Sequence, residues 1–180
     1  THEHYDHVGG LDDLRPYSRF GDVLVLAEKN VADNLRRRIP YCFQESKYPG
    51  VPQINLEEIK NETFTVADID ITPVRVLHHN LPIFGFRIKN FAYLTDLKTI
   101  PDEEYSKLEN LDILVIDALR IQEHISHENL AQALDQIRRI APRKAYLIHM
   151  SHHIGLHREV EKILPQNVFL SYDGLEIETI

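Results

Sequence analysis

Cysteine is nearly absent: Cys42 is the only one in 180 residues. That excludes an intrachain disulfide and fits a reducing compartment, the cytoplasm. Long apolar runs are missing too. No stretch approaches the roughly 18 apolar residues that argue for a membrane-crossing helix, so no membrane partner is expected. Low-complexity segments, internal repeats and a recognisable signal peptide are lacking, and the chain opens at Thr1 without a methionine. Basic charge is in deficit, with 20 Lys and Arg against 28 Asp and Glu and a net charge of −8. This argues against a broadly nucleic-acid-binding surface. It leaves room for a small anionic substrate, because bound cations can reverse the local sign. What the chain does have is 43% hydrophobic residues, enough for the core of a single domain over 1–180.

The apolar patterning predicts a layered α/β domain. Asp22–Ala27 reads as a buried strand and 28–38 as a helix ending in Arg36-Arg37-Arg38. The stretch 39–62, with Pro40, Pro49-Gly50 and Pro52, reads as a long loop or insertion. Strands follow over 63–67, 69–77, 83–89 and 91–95, separated by turns at Ala67-Asp68, around Pro82 and at Lys89-Asn90. A short helix over 102–109 precedes a buried strand from Asp112 to Asp117. A helix over 127–140 then places Leu130, Leu134, Ile137 and Ala141 on one stripe. Strand 144–149, helix 156–164 and strands 168–172 and 175–179 complete the reading.

The 11 histidines fall in four patches. These are His2, His4 and His7; His78 and His79; His124 and His127; and His149, His152, His153 and His157. Each patch sits at a predicted strand end or helix start, where sites form in layered α/β domains. His2-Glu-His4 puts two imidazoles on one side of an extended segment, able to grip one cation. Asp6-His7 offers a carboxylate and a third imidazole for a second. Such ligands suit Zn, Mn or Fe better than Ca or Mg. Gly9-Gly10 then allows a tight turn. The alternative is a His-rich surface loop, but it leaves the downstream patches unexplained.

The run Thr1-His-Glu-His-Tyr-Asp-His-Val-Gly-Gly10 resembles the signature of the metallo-β-lactamase superfamily. Later motifs are similar to its phosphodiesterase branch, which includes tRNA 3′-processing endonucleases and phosphoribosyl cyclic phosphate phosphodiesterases. The resemblance implies an αββα sandwich, here lacking the N-terminal half-sheet that precedes the motif in the family. It implies two divalent metal ions, Zn or Mn. His2, His4 and His78 would hold the first, Asp6, His7 and His149 the second, and Asp96 at the end of Tyr93-Leu-Thr-Asp96 would bridge them. A cation pair of this kind can activate a bridging hydroxide and hold a phosphoryl oxygen.

The resemblance also makes His127 the proton donor or phosphate contact, and Asp6 joins the catalytic set. Asp117, ending its strand, reads either as the acidic partner of His127 or as a plain strand-end Asp. The plainer alternative makes Ser126 a helix cap with His127 in the first turn. His152 is a candidate phosphate contact. His153 and His157, four apart, could share a helix face, most simply a solvated one. His79 and His124 read as surface or supporting residues. The implied activity is hydrolysis of a small cyclic or linear phosphate ester. The alternatives are tRNA 3′-processing, lactam or thioester hydrolysis, and a silent metal-binding remnant. Nucleic acid is the less favoured partner, and a homodimer is compatible with the sequence.

Overall fold

The structure, a computed structural model, describes residues 1–44, 48 and 50–178. Its contacts gather into two compact units, Thr1–Glu62 and Thr63–Ile180. Residues 45–47 and Pro49 of the expected loop and the last residue of the expected strand 175–179 lie outside the described residues.

The first unit begins with a single helical turn, α1 (Tyr5–Val8), and a 3₁₀ stretch over Gly9–Phe20. Strand β1 (Val23–Glu28), helix α2 (Lys29–Arg38), a 3₁₀ turn Pro40–Cys42 and strand β2 (Ile54–Ile59) follow. β1 and β2 pair in parallel, from Val23 opposite Ile54 to Glu28 opposite Ile59. Parallel neighbours need a crossover, and α2 lies within it. The expected loop over 39–62 therefore contains a strand. Ile54 and Leu56 alternate correctly, but Glu57 and Glu58 break the pattern before Ile59 and are poor strand formers. Pairing to β1 overrides that local preference. Val31, Ala32 and Leu35 of α2 pack with Ala27, and Val8, Leu11, Val25, Phe43 and Leu56 close around them. The arginines ending α2 suit the negative end of its dipole. All three are engaged within the unit: Arg36 with Asp33 and Glu58, Arg37 with Asn34, and Arg38 with the carbonyl of Glu3.

The second unit is a seven-stranded mixed sheet in the order β3-β4-β5-β6-β7-β8-β9. Its strands are β3 (Phe64–Val66), β4 (Ile69–His78), β5 (Leu81–Ile88), β6 (Phe91–Leu94), β7 (Ile113–Asp117), β8 (Lys144–Ile148) and β9 (Val168–Leu170). β3 through β6 pair antiparallel, and β6 through β9 parallel. β4 thus runs in the same direction as β6, β7 and β8, so the C-terminal ends of all four share one sheet edge. Every residue of β7 is buried, which is why Ile-Leu-Val-Ile shows no alternation. Val74, Val76, Ile83, Leu94, Leu114, Ile116 and Leu147 of the sheet pack with Leu130, Ala133, Ile137 and Ile140 of α3 (Leu130–Ile140).

Several expected elements are shorter or of another type. Asp102–Leu108 is a 3₁₀ helix, and 156–164 resolves into one α-turn, α4 (His157–Val160), followed by the 3₁₀ turn Glu161–Ile163. Residues 175–178 form no strand. Helix α3 starts at Leu130, three residues later than expected, because Asn129 is its cap. The Asn129 side chain accepts from Gln132 N–H at 2.9 Å, and the Gln132 side chain accepts from Asn129 N–H at 3.1 Å, a reciprocal capping box. Ala141 is exposed and turns left-handed at φ 54, ending the helix rather than extending its apolar stripe.

Gly85 shows how tightly the sheet is packed. A Cβ there would stand 2.4 Å from Leu94 Cδ2 and 2.9 Å from the Tyr93 carbonyl. Because Leu94 is fully buried, it has no room to yield. Gly85→Ala is expected to cost about 1–3 kcal/mol of stability, the usual penalty for overpacking, read as a lowered urea midpoint with an unchanged slope. A midpoint equal to wild type would refute the packing account.

Candidate metal and acid–base site

In the first unit the chain changes conformation inside the histidine motif. His4 is extended (φ −63, ψ 147), and its carbonyl accepts from His7 N–H at 3.0 Å and Val8 N–H at 3.2 Å. His2 and His4 therefore stand on an extended segment, and Asp6 and His7 on the helical turn. The His2 ring lies 4.4 Å from those of both His4 and His7, and His7 Nε2 is 3.4 Å from Asp6 Oδ2. Four donors thus gather at one end of the unit. The expected tight turn at Gly9-Gly10 is absent: Gly9 is right-handed helical at φ −59. Its value is room, since a Cβ would come within 3.0 Å of the Tyr5 ring.

The second unit brings its candidates to the common edge of β4, β6, β7 and β8. His78 ends β4, and its Nδ1–H donates to the Asp96 carbonyl at 2.8 Å. That fixes the tautomer, so Nε2 keeps the lone pair a metal would take. Asp96, just past β6, accepts from the Thr95 hydroxyl at 2.7 Å and lies 3.4 Å from His149 Nε2. Asp96 and His149 are both left-handed, at φ 59 and 58. Such a backbone is costly for non-glycine residues and tends to persist where a site requires it.

Asp117 is fully buried at the end of β7 and accepts from His127 Nδ1–H at 2.8 Å. The His127 ring stacks on His149 with centroids 4.9 Å apart and 14° between planes. It also meets the His78 ring edge-on at 4.6 Å. One donor atom each from Asp117, His127 and His149 lie within 4.8 Å of one another. Because His127 Nδ1 is committed to the carboxylate, the two side chains form a hydrogen-bonded pair set against His149. His127 itself precedes α3 rather than lying in its first turn, and Ser126 does not cap the helix.

The remaining candidates are scattered. His152 is exposed on a 3₁₀ turn with its ring 3.8 Å from that of His153. His153 and His157 do not share a helix face, because Gly155 at φ 111 separates their elements. His157 instead approaches Glu161 at 3.9 Å. His79 is exposed.

Sequence reading gave little weight to His124 and passed over Lys98. The His124 ring lies 5.2 Å from His127, and burial, then the charges of His127 and Arg120, hold its pKa below the usual range. Lys98 Nζ donates to the His127 carbonyl at 3.2 Å and to Gln132 Oε1 at 3.0 Å, tying His127 to the cap of α3. A lysine two residues past a strand-end Asp was the available signal. Among the described residues no helix is long and apolar enough to cross a membrane.

These features have counterparts in known proteins. The beta-lactamase superfamily domain matches residues 1–150. The crystal structure of a diphosphatase from the PhnP family superposes with a TM-score of 0.91 at 31% identity, covering 100% of this chain and 70% of that one. The Zn(2+)-bound PqqB from Methylobacterium extorquens gives 0.77 at 15% identity over 99% of this chain and 71% of that one. The human tRNase Z short form gives 0.70 at 18% identity over 99% and 74%. A curated relative, the octanoyltransferase of Porphyromonas gingivalis, is 46% identical over 178 residues. Those residues are 98% of this chain but only 36% of that protein. The chain belongs to the beta-lactamase superfamily and has the metallo-β-lactamase fold of its hydrolases.

Proposed function

We propose that this chain is a metal-dependent phosphodiesterase that hydrolyses a small cyclic or linear phosphate ester. His2, His4, Asp6 and His7 of the first unit and His78, Asp96 and His149 of the second are the residues that would hold two divalent metals. The observation that carries the reading is the buried Asp117–His127 pair stacked on His149. An ester with a poor alkoxide leaving group needs a proton delivered as the bond breaks. An imidazolium near neutral pKa is suited to give it. Asp117 fixes the tautomer and stabilises the imidazolium, so Nε2–H faces the leaving oxygen. Asp6, exposed on its turn, can accept a proton from attacking water.

The donor set, five imidazoles and two carboxylates, suits zinc or manganese. When bound, two such cations would polarise a phosphoryl oxygen and lower the pKa of a water. The likeness to a PhnP-family diphosphatase, at 31% identity, supports phosphorus chemistry. The transferase name belongs to a protein of which this chain matches 36%.

Metal content and turnover of bis(p-nitrophenyl) phosphate test the reading together. Two equivalents of zinc or manganese and metal-dependent cleavage are expected; metal-replete protein that leaves the diester intact overturns it. Stability supplies an independent check. Metal that binds only the folded state at about 100 times its Kd adds ~2.7 kcal/mol. Chelation should then lower Tm by roughly 5–10 °C for a chain of this size. An unchanged melting curve in protein shown to have lost its metal would contradict the assigned ligands.

A further inference from the structure

Next to His127 the second unit buries a carboxyl group that the chemistry above does not use. Glu128 is 1% exposed. Its backbone is pinned on both sides, N–H donating to the Leu97 carbonyl at 2.9 Å and C=O accepting from Leu119 N–H at 3.0 Å. Its Oε1 accepts from Gln136 Nε2 at 2.9 Å. Gln136 is itself oriented, because its Oε1 accepts from the Tyr105 hydroxyl at 2.6 Å. The Tyr105 ring lies 3.4 Å from the Arg139 guanidinium, which pairs with Asp102. Oε2 of Glu128 is buried with no hydrogen-bond partner.

The charged groups that act on Glu128 are few. Asp117, at the end of β7, adds a negative charge, and Lys98, beyond β6, a positive one. Lys98 directs its hydrogen bonds to the His127 carbonyl and Gln132 instead. On α3 the partner is the uncharged Gln136. Burial pushes the Glu128 pKa up to about 8; the Gln136 bond opposes this, Asp117 adds to it and Lys98 opposes it.

We propose that Glu128 is a positioning residue for the Asp117–His127 pair, held as an uncharged carboxylic acid so that no second negative charge competes with Asp117. This rests on reading that pair as the acid–base device. An ionised Glu128 would be a buried charge with an unsatisfied oxygen beside a second carboxylate. Relief by a shift of the 127–128 backbone would carry the His127 ring with it. Ionisation therefore loosens the pair, and the site works only below that transition.

The sign follows from proton linkage. The unfolded chain releases this proton near the ordinary value of 4.5, the folded chain near 8. Between those values the native state binds more protons, so stability falls as pH rises and levels off above the folded pKa. Urea unfolding of wild type and Glu128→Gln across that range isolates the effect. The wild-type unfolding constant should rise up to about tenfold per pH unit relative to the variant, roughly 10³-fold in all. The downfield Nδ1–H resonance of His127, assigned by its loss in His127→Asn, should shift or broaden as wild type passes about pH 8 and persist in Glu128→Gln.

Parallel stability curves overturn the proposal. So does a His127 resonance that titrates identically in both proteins, which would leave Glu128 as a buried acid without a positioning role. Should Glu128→Gln fail to fold, wild type alone decides through its infrared spectrum. The carbonyl stretch of a protonated carboxyl group must persist at neutral pH and vanish near pH 8, and its absence at neutral pH refutes the assignment. None of these readouts uses substrate or added metal, so failure here and failure of the phosphodiesterase reading are separable.

Discussion

Replacing His149 by alanine is expected to remove one of the two metal equivalents and nearly all hydrolysis. His149 follows the last residue of β8, where the sheet edge gives it Asp96 at 3.4 Å and the stacked ring of His127. As proposed, it is one of the imidazoles that would hold a metal. Changing partners that merely orient ligands typically costs 10–100-fold in affinity or activity, so removing a ligand should cost more than about 10²-fold. The fold should survive, because the side chain is only partly buried and takes no part in the hydrophobic core. Alanine is a poor occupant of the left-handed backbone at φ 58, so His149→Asn, which tolerates that conformation, separates strain from ligand loss. Both variants should show one equivalent by elemental analysis. Two equivalents with turnover intact in either would remove His149 from the metal site.

What could be read from the sequence follows physical lines. β7 was legible because a strand buried on both faces is a plain apolar run between polar ends. β4 through β6 were legible from their apolar runs and the turns at Ala67-Asp68 and Lys89-Asn90, but the turn expected around Pro82 falls at His79-Asn80 and Pro82 lies inside β5. β2 was not, since its glutamates argue against a strand and only the partner ladder of β1 makes one. The 3₁₀ stretch Gly9–Phe20 also escaped, having Pro16 inside and no apolar period. For the site, the four histidine patches pointed to strand ends, and three of them lead to the shared edge of β4, β6, β7 and β8. That edge depends on strand direction, which histidine spacing does not encode. Asp117 was legible as a strand-end carboxylate, and the structure gives it a hydrogen bond from His127. Glu128 was not, because a glutamate before a helix reads as solvated capping chemistry. The true cap is Asn129, which leaves the Glu128 side chain to the interior.

Replacing His127 by alanine should separate a proton donor from a ligand. Both metals should remain, because His127 is committed to Asp117 through Nδ1 and is assigned no metal. Turnover should fall by roughly 10²–10⁴, the usual worth of a positioned general acid. The loss should depend on the leaving group. A p-nitrophenolate leaves with little help from a proton, so bis(p-nitrophenyl) phosphate should lose least. An alkyl or ribose alkoxide must be protonated as it departs, so such esters should lose most. Damage to folding would lower both alike, which makes the ratio between the two substrates the informative quantity. Asp117→Asn should reproduce the same ratio more weakly, since an amide still holds the ring but stabilises its charged form less. Equal losses on both substrates with metal intact would reduce His127 to holding the phosphate. Loss of a metal equivalent in His127→Ala would make it a ligand, and Asp117 would then be the residue that orients that ligand.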